Sequence, residues 1–248
     1  MSEPTTVTAA VLVIGDEILS GRTKDKNIGY IAEYLSRIGV DLREARVVPD
    51  VETEIVAALN ALRARYDYVI TTGGIGPTHD DITADSVARA FGVPIDVDQR
   101  AVALLRERYA ETDLTPVRLR MARIPEGAEL IENSVSKAPG FKIGNVIVMA
   151  GVPAIMQAML LAVTPDLKTG AKLLSESIRV NAPEGKVAIP LAEAQRAFPD
   201  VAMGSYPFFE EGRYGTNLVL RSTDAALLAQ AKANLIARLP PDVGVDAV

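Results

Sequence analysis

The residues best suited to chemistry lie in one run, Tyr68 to Thr83, which reads Tyr-Val-Ile-Thr-Thr-Gly-Gly-Ile-Gly-Pro-Thr-His-Asp-Asp-Ile-Thr. Gly73, Gly74 and Gly76 let the backbone approach a ligand closely. Their N–H groups, followed by a helix N-terminus, form a cradle for an anion. Asp80 and Asp81 come directly after. Two carboxylates beside a phosphate-sized anion repel it unless a cation sits between them, which points to a divalent metal with oxygen ligands. A helix entrance with acidic residues in its first turn is the plainer alternative. The loop is not a dinucleotide fingerprint, because Pro77-Thr78-His79 stands where a third glycine belongs. Nor is it a P-loop, since no Gly-Lys-Ser/Thr follows. His79 is the chain's one histidine, so a multi-histidine metal site is excluded. It serves either as a donor to phosphate or as a turn residue.

Three strand–loop–helix units must position these groups. In the third, Tyr68–Thr72 is a short, β-branched, apolar run and reads as a buried strand. Thr83, Val87, Ala88 and Phe91 then carry a helical pattern, with Thr83 a residue type suited to the N-cap. In the first unit, Thr8–Ile14 is a strand ending at Gly15-Asp16-Glu17, and Asn27 is an N-cap candidate for a helix closing at Gly39. In the second, Val40–Val48 runs into Pro49-Asp50, and a helix through Ile55, Val56, Leu59 and Leu62 follows. Such an order calls for parallel strands and right-handed crossovers, with the loops gathered at the carboxyl edge of the sheet. Asp16, Glu17, Asp50, Asp80 and Asp81 are therefore expected to face one crevice.

Further on, a hairpin is expected to turn at Gly144-Asn145, and Gly151-Val152-Pro153 to open a helix through Met156, Met159 and Leu160. That junction is a second possible phosphate contact, and the methionines read as core. Pro125 to Gly140 reads as irregular. Beyond a polar connector at Thr164–Ala171 come a strand (Ser177–Val180), a helix (Leu191–Phe198), two strands (Val201–Tyr206, Gly215–Arg221) and a helix (Leu227–Leu239). The fold class is thus α/β, a three-layer and mostly parallel sheet with helices on both faces over residues 1–168. A small α+β domain occupies residues 169–248. The hairpin Gly204–Tyr214, rich in aromatic residues, reads as a plain hairpin or as a lid or partner surface.

Composition narrows the function. The net charge of −6 disfavours nucleic acid as a partner. The sequence has no apolar run long enough for a membrane span. Cysteine is absent, which removes disulfides and thiolate chemistry and fits a cytoplasmic location. The opening Met-Ser-Glu-Pro-Thr-Thr carries no signal-peptide pattern.

Val13-Ile14-Gly15-Asp16-Glu17-Ile18-Leu19-Ser20-Gly21, Asp25-Lys26-Asn27, Val48-Pro49-Asp50 and the run Thr72–Thr83 closely resemble the molybdopterin-binding domain superfamily. Its members include MoaB/MogA proteins, the N-terminal region of CinA and the N-terminal half of eukaryotic FAD synthase. The match is nearest to the last two, and Leu191–Gln195 with Gly204–Pro207 extends it into the smaller domain. The chain stops before the C-terminal amidase or adenylyltransferase domains of those relatives, so neither activity is carried over. Lys26, Ser134 and Ala150 depart from the usual Thr, Pro and Pro.

The resemblance implies a small-molecule ligand, either a nucleotide or a pterin phosphate. It implies a divalent-metal-dependent pyrophosphatase (Mg, Mn or Co) acting on ADP-ribose- or FAD-like substrates, or else molybdopterin binding or adenylylation in molybdenum cofactor biosynthesis. A non-catalytic nucleotide-sensing module is the third option. Asp50 and Asp81 are the catalytic candidates, and Asp16, Glu17, Asp50, Asp80 and Asp81 the metal candidates. Gly15, Ser20, Gly21, Asp25, Asn27, Thr72, Gly73, Gly74, Gly76, Pro77, Thr78, His79, Thr83, Gly151 and Pro153 are the ligand-binding set. A homo-oligomer, dimer or trimer, is also implied.

Overall fold

The computed structural model describes residues 6–210 and 212–246. Residues 1–5, on which the signal-peptide expectation mostly falls, lie outside them, as does Glu211 of the aromatic hairpin. The chain divides into two compact units between Gly170 and Ala171.

The first unit contains β1 (Val7–Ile14), α1 (Asp16–Leu19), α2 (Asn27–Ile38), β2 (Val40–Val48), α3 (Glu52–Arg63), β3 (Tyr68–Thr72) and α4 (Thr83–Phe91). Next come β4 (Ile95–Val97), α5 (Gln99–Arg106), α6 (Pro116–Leu119), β5 (Arg123–Pro125), β6 (Glu129–Ile131), β7 (Gly140–Ile143), β8 (Val146–Met149) and α7 (Pro153–Val163). A six-stranded sheet runs β2-β1-β3-β8-β7-β6. β1 pairs in parallel with β2 and β3, and β3 with β8. β7 is antiparallel to β8 and β6, as the hairpin at Gly144-Asn145 requires.

β1 is apolar at almost every position because both faces of the sheet are covered, the usual condition of a parallel sheet. Leu12 and Ile14 enter one core with Ile55, Leu59, Val87 and Phe141. Val11 and Val13 enter the other with Ile31, Leu35, Met156 and Met159. Each such fully buried side chain stabilises the fold by about 1.5–3 kcal/mol. These two cores make three layers, with helices on both faces. β1, β2, β3 and β8 then deliver their following loops to one edge.

The stretch Pro125 to Gly140 is not wholly irregular. β6 pairs with β7 there, and β5 pairs with β4 in a separate two-stranded ribbon. These strands are three residues long, too short for a period-2 pattern to register. Asn133 organises the turn that follows β6. Its Oδ1 accepts from Val135 N and Ser136 N, and its Nδ2 donates to Ala138 O.

The second unit has β9 (Leu174–Val180), α8 (Glu184–Ala197), β10 (Ala202–Glu210), β11 (Arg213–Ser222), α9 (Ala225–Arg238) and β12 (Val245–Asp246). Its antiparallel sheet runs β10-β11-β9-β12 and has its own core of Ile178, Val180, Val187, Leu218, Leu220, Leu228 and Leu235. α8 begins seven residues before the expected Leu191 and carries Pro190 inside it. A proline is a strong break signal, and here the buried packing of Val187 and Pro190 overrides it.

Candidate functional site

The glycine loop leaves the buried end of β3 and is pinned by three hydrogen bonds, one to the end of β8 and two from Thr83. Gly73 N donates to Met149 O at the end of β8 (3.2 Å), Thr83 N donates to Gly74 O (3.0 Å), and Thr83 Oγ1 donates to Gly73 O (2.9 Å). Thr83 is therefore the first residue of α4 and ties the loop, while Ile82 occupies the cap position. Gly73 and Gly74 hold φ of +104° and +66°, and a Cβ on either would lie 2.1 Å from Ile14 O or 2.2 Å from Thr83 Oγ1. The loop is thus closed against β1 and α4, and glycine is the residue the geometry admits.

On one side of the loop lies a cavity of about 220 Å³, bordered by Ile14, Glu17, Asp25, Asn27, Thr72, Gly73, Gly151 and Pro153 with Lys24 and Lys26. Asn27 is not an N-cap. Lys26 holds that position, and Asp25 Oδ1 accepts Ile28 N in the first turn of α2 (2.9 Å). Buried Asn27 instead donates Nδ2 to Gly151 O (2.8 Å), joining α2 to the loop after β8. Among the described residues its Oδ1 and the Thr72 Oγ1 are buried without a hydrogen-bond partner. Natural folds rarely leave such groups unpaired, and both residues line this cavity. The loop after β8 is held by a bond that a proline would forbid, since Ala150 N donates to Met159 Sδ (3.4 Å). Pro153 sits at the start of α7.

The acidic residues divide. Asp50 Oδ2 accepts Asp16 N (2.9 Å), which fixes the end of β2 against the end of β1. Burial pushes the Asp50 carboxyl above its ordinary range, and the charges of Asp16, Glu17 and Asp80 add to that, while the Asp16 N–H opposes it. Asp81 turns the other way. Its Oδ2 accepts both Thr78 N (2.8 Å) and Thr78 Oγ1. The same hydroxyl leads the effects that hold the Asp80 carboxyl below its ordinary range. Among the described residues, no three His, Cys, Asp or Glu side chains converge to hold a metal ion. The five carboxylates expected to act as one ligand set are thus not preassembled. Asp50 and Asp81 already have hydrogen-bond donors, and Asp16, Glu17 and Asp80 are exposed. The oxygen donors still suit a hard cation, because magnesium is commonly held by one or two carboxylates together with substrate phosphates.

Gly15 is buried at the end of β1, and Gly76 and Pro77 are half-buried in the loop. Ser20 and Gly21 are exposed beyond the single turn of α1 and do not border the cavity. His79 projects into solvent, its side chain 99% exposed, with Nδ1 3.9 Å from Asp80 Oδ1. The loop's other flank adjoins the segment Arg120–Ile124, which the sequence patterns did not single out.

A family model described as "Probable molybdopterin binding domain" matches residues 10–169, and one described as "FAD synthase, middle domain" matches residues 172–248. Protein Ta0487 of Thermoplasma acidophilum is 39% identical over 163 residues, 64% of each chain. A CinA-like protein of Citrifermentans bemidjiense is 38% identical over 248 residues, 93% of this chain and 58% of its own. The chain therefore spans less than two thirds of the length of both relatives. The crystal structure of the protein CinA of unknown function from Thermoplasma acidophilum superposes with a TM-score of 0.61 at 38% identity, covering 65% of this chain and 99% of that one. With a family model covering more than half its length and a CinA-like relative matched across nearly all of it, this chain belongs to the molybdopterin-binding-domain family and is CinA-like.

Proposed function

We propose that the first unit binds a nucleotide diphosphate through the glycine loop and hydrolyses its pyrophosphate with a divalent cation, on ADP-ribose- or FAD-like substrates. The observation that carries the proposal is Asp50. Its Oδ2 is held by Asp16 N just past the end of β1, the same strand end against which Gly73 packs, and burial raises the carboxyl above its ordinary range, so it is suited to take a proton. The loop amides orient the phosphates, and Asn27 Oδ1 with Thr72 Oγ1 offers polar contacts to the rest of the ligand. Asp80, with Asp16 and Glu17 beside it, would hold the cation, which when bound supplies charge neutralisation at the phosphoryl oxygens.

In hydrolysis, water attacks one phosphorus while its proton passes to Asp50 Oδ1, the oxygen not engaged by Asp16 N–H. The P–O bond of the anhydride breaks, and the second phosphate leaves with the bridging oxygen. For ADP-ribose the products are AMP and ribose 5-phosphate. The experiment is AMP release from ADP-ribose with Mg²⁺, Mn²⁺ or Co²⁺, wild type against Asp50→Asn and Asp81→Ala. Release that is absent in all three, or equal in all three, refutes hydrolysis at this site.

A second proposal is molybdopterin binding or adenylylation, favoured by the description of the family model. Side-by-side titration with molybdopterin and ADP-ribose separates the two, and a clear preference for the pterin reverses their order. The dimer or trimer implied by the resemblance belongs to the same proposal and is read by light scattering.

A further inference from the structure

The glycine loop has a second flank, opposite the Asn27–Thr72 cavity. There Gly74, Ile75, Gly76 and Asp81 meet Arg120, Met121, Arg123 and Ile124, with Pro139 and Phe141 leading into β7. β7 is antiparallel to β8, with Phe141 opposite Val148, so its first residues lie at the same sheet edge as the ligand loops. The notch left between them has a volume of about 10 Å³, room for a single oxygen atom.

Two arginines reach this notch, and they differ. Arg123 is neutralised by a two-point contact with Asp85, Nη1 to Oδ2 at 2.8 Å and Nη2 to Oδ1 at 2.7 Å. Among the described residues Arg120 makes no ion pair. Its Nη2 donates to Asp81 O (3.3 Å), which tethers the guanidinium to the loop, and its Nε is buried with no partner among the described residues. Leaving a charged donor buried and unmatched is unfavourable, and here it belongs to a guanidinium that Nη2 ties to the loop at Asp81 O. Lys24 and Lys26 border the cavity on the first flank, and on this flank Arg123 is already paired with Asp85, which leaves Arg120 as the cationic group free to meet an anion. A guanidinium is the side chain best shaped to hold a phosphate oxygen.

We propose that Arg120 is an anion-binding residue of the glycine-loop site, donating Nε–H to a phosphate oxygen of the bound ligand from the flank opposite Asn27. This rests on the phosphate-binding role proposed above. It adds a contact from a segment outside the strand–loop–helix units, and it implies that the loop is gripped from both sides by one diphosphate ligand.

The test is calorimetric titration of the full chain with ADP-ribose, with and without magnesium, for wild type, Arg120→Gln and Arg120→Lys. Alongside it, the arginine Nε–H resonances of ¹⁵N-labelled wild-type protein are followed as inorganic pyrophosphate is added, with Arg120 assigned by its absence in the lysine variant. Loss of a charge-assisted hydrogen bond predicts about ten-fold weaker binding or more for Arg120→Gln, with partial recovery in Arg120→Lys. The Arg120 Nε–H signal is expected to move on titration. If the wild type binds ADP-ribose, Arg120→Gln binds within two-fold of it and the signal stays put, a fixed water satisfies Nε. Arg120 is then no ligand contact, and the phosphate site itself stands. If the wild type binds neither probe, the phosphate role fails and this inference fails with it. The resonance measurement uses the unmodified protein, so an unfolded variant does not remove the test.

Discussion

Replacing Gly73 by alanine tests the central geometry of the loop. The new Cβ would stand 2.1 Å from Ile14 O, more than an ångström inside ordinary contact, and the obstacle is backbone that cannot rotate away. Holding a non-glycine residue at φ +104° costs about 1–3 kcal/mol, and forcing the overlap costs about 1–3 kcal/mol more. The sum is about 2–6 kcal/mol. Gly127 provides the control. Its φ is +81°, and nothing lies within 4 Å of the position its Cβ would take, so Gly127→Ala should carry only the backbone term, about 1–2 kcal/mol. At about 2–4 °C per kcal/mol for domains of this size, the two variants should melt roughly 5 °C apart. If Gly73→Ala folds, the loop has moved by about an ångström, and a misplacement of that size lowers turnover by about 10²-fold. The assays are thermal unfolding by circular dichroism and AMP release from ADP-ribose. Equal melting of the two variants would show that the loop is not packed against the end of β1, and the account of the cradle would fall.

Two further substitutions probe the flanks. Asp50→Asn removes a carboxyl whose acidity is lowered in the folded state. A group with a raised folded pKa costs stability as pH rises from its ordinary value through the raised one, so the variant should be the more stable protein at pH 7. The difference should vanish in acid, and AMP release should be lost. Denaturant titrations at pH 7 and below pH 4 check the sign, and a variant less stable than wild type at pH 7 contradicts it. Asn27→Ala deletes the bond to Gly151 O and should destabilise the unit by about 1–3 kcal/mol. It should also weaken ADP-ribose binding by calorimetry, whereas an unchanged midpoint and affinity would show that the loop after β8 is held without it.

The residues Tyr68–Thr83 and the two units before them determined the parallel order by themselves. Apolar runs that end in glycine and aspartate and are followed by helical spacing admit few other arrangements. The edge on which Asp16, Asp50 and the glycine loop gather followed from that order alone. Only the tertiary structure decided what each side chain does there. Asn27 and Thr83 are cap-type residues in sequence, yet in the fold one reaches across 124 positions to Gly151 and the other back to Gly73 O. The Asp80-Asp81 pair reads as one ligand set, but Asp81 turns onto Thr78 because local hydrogen bonds compete for a carboxylate in a turn. Arg120 carried no spacing signal, because its place at the loop comes from β4, β5 and the antiparallel β7, strands too short or too far apart in sequence to show a pattern. Local periodicity reports which face of an element is buried. The partner that a polar group finds depends on loops brought together by the whole sheet.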